Sequence, residues 1–252
     1  MYGFNNGLST LNDLCGLADI IAVQEHWLAP YDLAKLTSFS NDFVGFGWSA
    51  MHEKLQTCIL TGRPFGCIGV LIKKNLGLSV TVLQVMHNCR SVCLKCVFPS
   101  GRVMILVVVY FPCTSASADY ECEIAECLGF IEECLLSNTY QDIVILGDMN
   151  FDCVDNSLGY KMFSSMCKEI GVQRADSVCG SAIDHTYCQE SSNRYSVIDH
   201  IFVSDSLAQL SKSYFVFDQL VNFSDHTPVG CNIDITCTIS NMYISGKQRN
   251  FK

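Results

Sequence analysis

Residues 142–150 read DIVILGDMN, and the fold turns on how this stretch is read. Ile143, Val144, Ile145 and Leu146 are apolar on both sides of an extended backbone, the pattern of a strand buried on both faces. The run stops at Gly147, and Asp148 and Asn150 follow at once. Side chains alternate along extended backbone, so residues two apart point the same way. The spacing therefore predicts a carboxylate and an amide converging at the strand end. Asp148 could orient or deprotonate a water there, and Asn150 could hold that water or a phosphate oxygen. Taken alone, Gly-Asp after a strand is also an ordinary turn, because turns use both residues. The chemical reading needs partners elsewhere in the chain.

Working outward, RVMILVVVYF (102–111), RSVCLKCVF (90–98) and CIGVLIK (67–73) share the doubly apolar pattern. FPSGR at 98–102 supplies Pro and Gly where a hairpin turn needs them. Further strands are predicted at DIIAVQE (19–25), FVGFG (43–47), LSVTVLQV (78–85), VIDHIFVS (197–204), SYFVFDQ (213–219) and VGCNIDIT (229–236). Helical spacing appears at 8–18, in a polar segment at 30–38, and at 156–170 with Gly171 as a stop. The strongest helix is 117–137, with Ser117 or Asp119 as cap and Ile124, Cys127, Leu128, Ile131 and Leu135 on one face. Many mixed strands separated by few helices imply α/β packed sheets with helices outside, in one domain. That domain is expected over 1–238, with 239–252 a polar linker or tail.

Composition narrows the function. Of the 252 residues, 49% are hydrophobic and 16% charged, which suits sheets covered on both faces. The net charge of −9 excludes a general positive field, so any nucleic-acid role needs a local site. The longest apolar run, 103–111, is far short of the roughly 20 residues that span a bilayer, so no membrane association is expected. The 16 cysteines are dispersed, many within apolar runs, and read as reduced, buried thiols of a nuclear or cytoplasmic protein.

Other polar residues fall at strand ends or in loops. Glu25 closes DIIAVQE, where a carboxylate is a natural hard ligand for Mg²⁺ or simply a solvated loop residue. Asp225 and His226 adjoin in NFSDHTP (222–228), forming either part of a shared site or an Asx-turn beside an exposed imidazole. Asp199 follows two apolar residues and precedes a strand, and a buried Asp there needs a partner. His226 would serve, because the carboxylate fixes its tautomer and favours its charged form. Tyr110 leaves the most apolar strand and either donates to a phosphate oxygen or packs.

Five segments then stand in order: VQEHW (23–27), VVYFPC (108–113), LGDMN (146–150), YSVIDHIFVS (195–204) and FSDHTPV (223–229). Their order resembles the endonuclease/exonuclease/phosphatase superfamily, the DNase-I-like fold. YSVIDHI and RPFGCIGVLIKK (63–74) are similar, more narrowly, to the apurinic-type endonuclease domain of LINE-type non-LTR retrotransposons. The resemblance implies a four-layer α-β-β-α sandwich, two packed mixed sheets flanked by helices. It implies an Mg²⁺-dependent phosphodiesterase (Mn²⁺ as the alternative) that nicks DNA, with a reverse transcriptase downstream in the same polyprotein.

By the same resemblance, Glu25 and Asp225 serve the metal, while Asp148 activates the water beside Asn150. Tyr110 contacts the phosphate, His226 braced by Asp199 stabilises developing charge, and Thr186 and Ser196 lie near the DNA backbone. Two alternatives are a related phosphoesterase with another phosphate ester as substrate and a remnant that folds or binds without cleaving. The family's domain opens with a strand ending in an Asn that shares the metal with Glu25. Here Met1 falls about where that strand finishes, so a central strand and one metal-site residue are expected to be missing and neighbouring edges to be left open.

Overall fold

The computed structural model describes residues 3–51, 55, 67–113, 119–153, 157–189, 193–217 and 224–235. In chain order these form α1 (Leu8–Leu17), β1 (Ile20–Gln24), α2 (Ala34–Thr37), β2 (Phe43–Ser49) and β3 (Cys67–Lys73). There follow β4 (Ser79–Val85), β5 (Ser91–Val97), β6 (Val103–Tyr110), α3 (Tyr120–Leu136), β7 (Asp142–Asp148) and α4 (Leu158–Ile170). The last are β8 (Val172–Arg174), α5 (Ala175–Cys179), β9 (Tyr187–Gln189), β10 (Arg194–Ser196), β11 (Asp199–Ser204), α6 (Asp205–Ala208), β12 (Ser211–Val216) and β13 (Val229–Ile233). The segment predicted as one helix over 30–38 is a 3-10 turn at Pro30–Asp32 followed by the short α2. Ser117 and the tail 239–252 lie outside the described residues.

Six strands form one sheet in the order β4-β5-β6-β7-β11-β8. Only β6 and β7 run parallel, and α3 lies between them in sequence, as a parallel connection requires. The 98–102 turn forms as predicted: Gly101 takes φ +83° and the Phe98 amide donates to the Arg102 carbonyl at 2.9 Å.

Alternate residues of this sheet enter different cores. Cys93, Ile105, Val107, Ile143 and Ile145 pack with Ile124, Cys127 and Ile131 of α3 and Phe163 of α4. Leu94, Cys96, Leu106 and Val144 pack with Ile68, Val70 and Ile72 of β3. Cys93 and Cys96 are three apart yet face opposite cores, so these thiols fill space as small hydrophobes. All fourteen described cysteines are unbridged. The Ser157 hydroxyl accepts from the Tyr160 amide at 3.2 Å to start α4, and Gly171 ends it at φ +68°.

The second layer of strands is β1-β3-β2, with the ribbon β12-β13 separate from it among the described residues. Behind β1 and β3, Leu11 of α1 and Leu36 of α2 close a third core with Ile21, Val23 and Leu71. The result is the α-β-β-α layering, with two main sheets flanked by helices. No helix among the described residues is long and apolar enough to cross a membrane.

Candidate active site

The ends of β1, β6, β7 and β11 gather at one edge of the sandwich. Asp148 closes β7 beside Tyr110 of β6 on one side and Asp199 of β11 on the other. This convergence needs Gly147. It takes φ +143°, and a Cβ there would lie 2.0 Å from the Val109 carbonyl oxygen, so no other residue fits without displacing the β6 backbone.

Two loops complete the cleft. Glu25 follows β1, and the segment carrying Asp225 and His226 is tied to β9 by main-chain bonds. The Cys188 amide donates to the Asp225 carbonyl at 2.8 Å, and the Thr227 amide to the Thr186 carbonyl at 2.7 Å. Gln24, Glu25, Asp148, Asp199, Asp225 and His226 line a cleft of about 20 Å³, room for one water or ion.

Inside it, His226 lies between two carboxylates. Its Nδ1 is 2.9 Å from Asp199 Oδ2 and its Nε2 is 3.9 Å from Asp148 Oδ2. Burial pulls the imidazole down, but Asp199 overrides this and raises its pKa to about 9. Burial pushes the Asp199 carboxyl up, but the His226 charge and the Thr186 hydroxyl bring it below the usual carboxylate range. Asp148 is raised to about 7, first by burial and then by Asp199, with His226 opposing. The Tyr110 hydroxyl donates to Glu25 Oε1 at 2.5 Å and is held neutral, raised by burial and by Glu25.

Asn150 departs from the strand-alternation argument. The strand ends at Asp148, and Asn150 turns into the left-handed region at φ +53°. Its amide N–H donates to Asp148 Oδ1 at 2.9 Å, while Nδ2 donates to the Phe111 carbonyl at 2.8 Å. Asn150 thus buttresses Asp148 and the β6 exit and does not line the cleft.

Thr186 also differs from its expected place near DNA. It is fully buried, and its Oγ1 accepts from the amides of Ile198 and Asp199, each at 3.0 Å. An inward hydroxyl leaves no surface for a nucleic-acid backbone. Ser196 is half-buried on β10, its carbonyl accepting the Thr186 amide. The predicted metal residues Glu25 and Asp225 border the cleft, but the tightest ligand group among the described residues is Asp148, Asp199 and His226, all within 4.8 Å. The sequence reading missed Arg90. It packs over the Tyr110 ring at 5.8 Å, donates to the Tyr110 carbonyl at 3.4 Å and pairs with Glu123 at 3.3 Å. Arg90 lies 20 positions from Tyr110 with no local pattern linking them; only the β5–β6 register brings them together.

The profile of the Endonuclease/Exonuclease/phosphatase family matches residues 1–226. The chain belongs to this family. Solved structures show the fold of this endonuclease/exonuclease/phosphatase protein in known relatives. One is the 3′ phosphatase NExo from Neisseria, bound to a product DNA hairpin, at 17% identity and TM-score 0.67, covering 92% of this chain and 96% of that one. A second is the endonuclease domain of TRAS1, a telomere-specific non-LTR retrotransposon, at 16% identity and TM-score 0.64, with 91% of each chain covered. A third is an AP endonuclease from Archaeoglobus fulgidus, at 12% identity and TM-score 0.68, covering 92% and 96%. No curated protein sequence matches the chain.

The family is typically dependent on a divalent metal, and the donor set fits one. Four carboxylates and one imidazole border a cleft the size of one ion. A phosphate ester is itself an anion, so its approach to that many carboxylates calls for a counter-cation. Carboxylate oxygens are the ligands that hard cations prefer.

Proposed function

We propose that the chain is a metal-dependent phosphodiesterase that nicks DNA, an endonuclease of the non-LTR retrotransposon type. One observation carries the reading: Asp148, Asp199 and His226 meet in a single cleft with Glu25 at its edge and Tyr110 bonded to that Glu. Glu25 and Asp225 would hold Mg²⁺, with Mn²⁺ as a substitute. The cation, when bound, offsets charge on the phosphate oxygens.

The protein's own groups divide the remaining work. Asp148, poised near neutral pH, accepts the proton of the attacking water as its oxygen bonds to phosphorus, while the P–O bond to the leaving strand end breaks and that oxygen takes a proton from solvent. Asp199 holds His226 by Nδ1, which leaves Nε2 toward the cleft. There the imidazolium faces the charge that grows on the phosphoryl oxygens. Tyr110 is positioned to release Glu25 and donate to a phosphate oxygen. Ser196, on the β9–β10 ribbon beside the cleft, would meet the DNA backbone. In this reading the domain serves a polyprotein that also carries a reverse transcriptase.

The test is nicking of supercoiled plasmid by the purified chain in Mg²⁺. Conversion to open circles, stopped by EDTA and lost in Asp148→Ala, supports the proposal. Plasmid left intact while another phosphate ester is hydrolysed would assign a different substrate.

A second reading is favoured by β1, the strand that delivers Glu25, which among the described residues is paired on one side only. In that reading the domain binds DNA without cutting it. DNA retention by wild type and Asp148→Ala alike, with no nicking by either, distinguishes this reading.

A further inference from the structure

The Tyr110 hydroxyl has two partners to serve in turn. In the free protein it donates to Glu25 Oε1. In the proposed complex it must leave Glu25 for a phosphate oxygen, and during that exchange the hydroxyl no longer tethers the ring. Tyr110 is the last residue of β6, so the strand holds its main chain and not its ring. The hydroxyl stands at the far end of the side chain, where a small swing of the ring becomes a larger displacement. A second support for the ring is therefore needed, and one side chain is placed to give it.

Arg90 directly precedes β5. The β5–β6 register sets Ser91 opposite Val109, so Arg90 stands across from Tyr110, which faces Asp148 of β7 on its other flank. Both the main chain and the side chain of Arg90 engage Tyr110. The Arg90 carbonyl accepts the Tyr110 amide at 2.8 Å. The guanidinium lies over the ring, 5.8 Å from its centroid, and Nη1 donates to the Tyr110 carbonyl at 3.4 Å. A cation over a ring face is attracted to that face whichever group the hydroxyl bonds. Such a support survives the change of partner.

Arg90 is itself held. Nη2 pairs with Glu123 Oε2 at 3.3 Å. Glu123 lies in the first turn of α3, where its amide donates to the Asp119 carbonyl at 3.0 Å. On the chain side, the Arg90 amide donates to Asn88 Oδ1 at 3.1 Å. The support thus runs from the start of α3 through the guanidinium to the ring. A planar fork can lie on a ring and reach two acceptors at once, which the point charge of a lysine does not match.

We propose that Arg90 is a positioning residue for the hydrolysis: it clamps the Tyr110 ring so that the hydroxyl keeps its aim as it passes from Glu25 to the phosphate. The clamp is a property of the free protein, whereas its use in catalysis rests on the proposed nicking activity.

Urea melts of the full chain read the clamp without any activity. Tyr110→Phe should raise the unfolding constant about tenfold, the weight of a bond to a carboxylate. In the Arg90→Met background the same change should raise it less than about threefold, because an unclamped ring no longer delivers its hydroxyl to Glu25. Equal factors in the two backgrounds overturn the proposal. If Arg90→Met does not fold, Glu123→Gln releases the guanidinium from α3 and should shrink the Tyr110→Phe factor in the same direction; an unchanged factor overturns it.

Nicking of supercoiled plasmid reads the use of the clamp. Arg90→Met should lower kcat about 10- to 100-fold and leave KM within about twofold, since the hydroxyl is misplaced and not removed from the ground state. In the Tyr110→Phe background it should cost nothing further in kcat. A loss carried by KM, or the same kcat loss in both backgrounds, overturns the catalytic half of the proposal. If the wild-type chain leaves plasmid intact, the nicking reading itself fails, and the urea cycle still decides the clamp.

Discussion

The two sheets of this protein are built from similar residues and finished differently. In the six-stranded sheet, β6 has a partner on each side, and Ile105, Val107 and Val109 are wholly buried. In the other layer, β13 has a partner on one side only among the described residues, and Val229, Cys231 and Ile233 are each half-exposed. The active site straddles this difference. Asp148 and Asp199 stand on the six-stranded sheet, while Glu25 and the Asp225–His226 pair adjoin β1 and β13, strands paired on one side only among the described residues. The group proposed to activate water and the carboxylate that holds His226 are thus fixed by a rigid scaffold, and the groups proposed to handle charge rest on a less supported one.

The largest expected effect sharpens the first half of that contrast. Asp148→Ala should lower nicking by about 10²–10⁴-fold, the usual weight of a general base. Its thermal midpoint should hold or rise, because burial disfavours the carboxylate it removes. Loss of activity accompanied by a lower midpoint would mean that Asp148 holds the sheet together instead. Gly147→Ala, one residue away, should lower the midpoint as well as the activity. With its Cβ forced against the Val109 carbonyl at positive φ, it should cost about 3 kcal/mol or more of stability in urea melts.

Paired truncations test the contrast directly. Ile105→Ala, in the complete sheet, should cost about 2–5 kcal/mol through lost burial and a cavity that cannot collapse. Ile233→Ala, in β13, should cost about 1 kcal/mol or less, since that side chain is only partly removed from water. Equal costs would break the contrast and show the split layer to be as tightly packed as the other.

These differences explain what could be read in advance. The buried strands were legible because apolar runs such as VMILVVVYF and DIVILG have one physical reading. Asp148, Glu25, Tyr110, Asp199 and His226 were legible as polar residues where such runs end. Asn150 was placed in the right loop for the wrong reason, because a backbone turn past the strand is not encoded in alternation. Thr186 reads locally as a loop threonine, and only the bonds its hydroxyl accepts from the Ile198 and Asp199 amides at the start of β11 hold it inward. Arg90 over Tyr110 depends on strand register, which local patterns do not carry.

A further effect probes the carboxylates shared between the two layers. Asp148 has its folded pKa raised from 3.8 to about 7, so its contribution to stability is full below 3.8 and lost as pH rises through 7. His226 is raised from 6.5 to about 9, so its contribution is full below 6.5 and lost as pH rises through 9. At about pH 8, then, Asp148 is mostly ionised beside Asp199 while His226 remains mostly charged, and a divalent cation relieves the carboxylate repulsion. At about pH 5.5 Asp148 is mostly protonated, and there is less for the cation to relieve. Mg²⁺ at about ten times its Kd at pH 8 should add about 1.4 kcal/mol, a rise of roughly 3–6 °C in the midpoint. The same concentration should add clearly less at the lower pH. Equal shifts at both pH values would place the cation away from Asp148, on groups that do not titrate in this window. No shift at either would remove the metal from the cleft, and with it the reason for gathering carboxylates from both sheets.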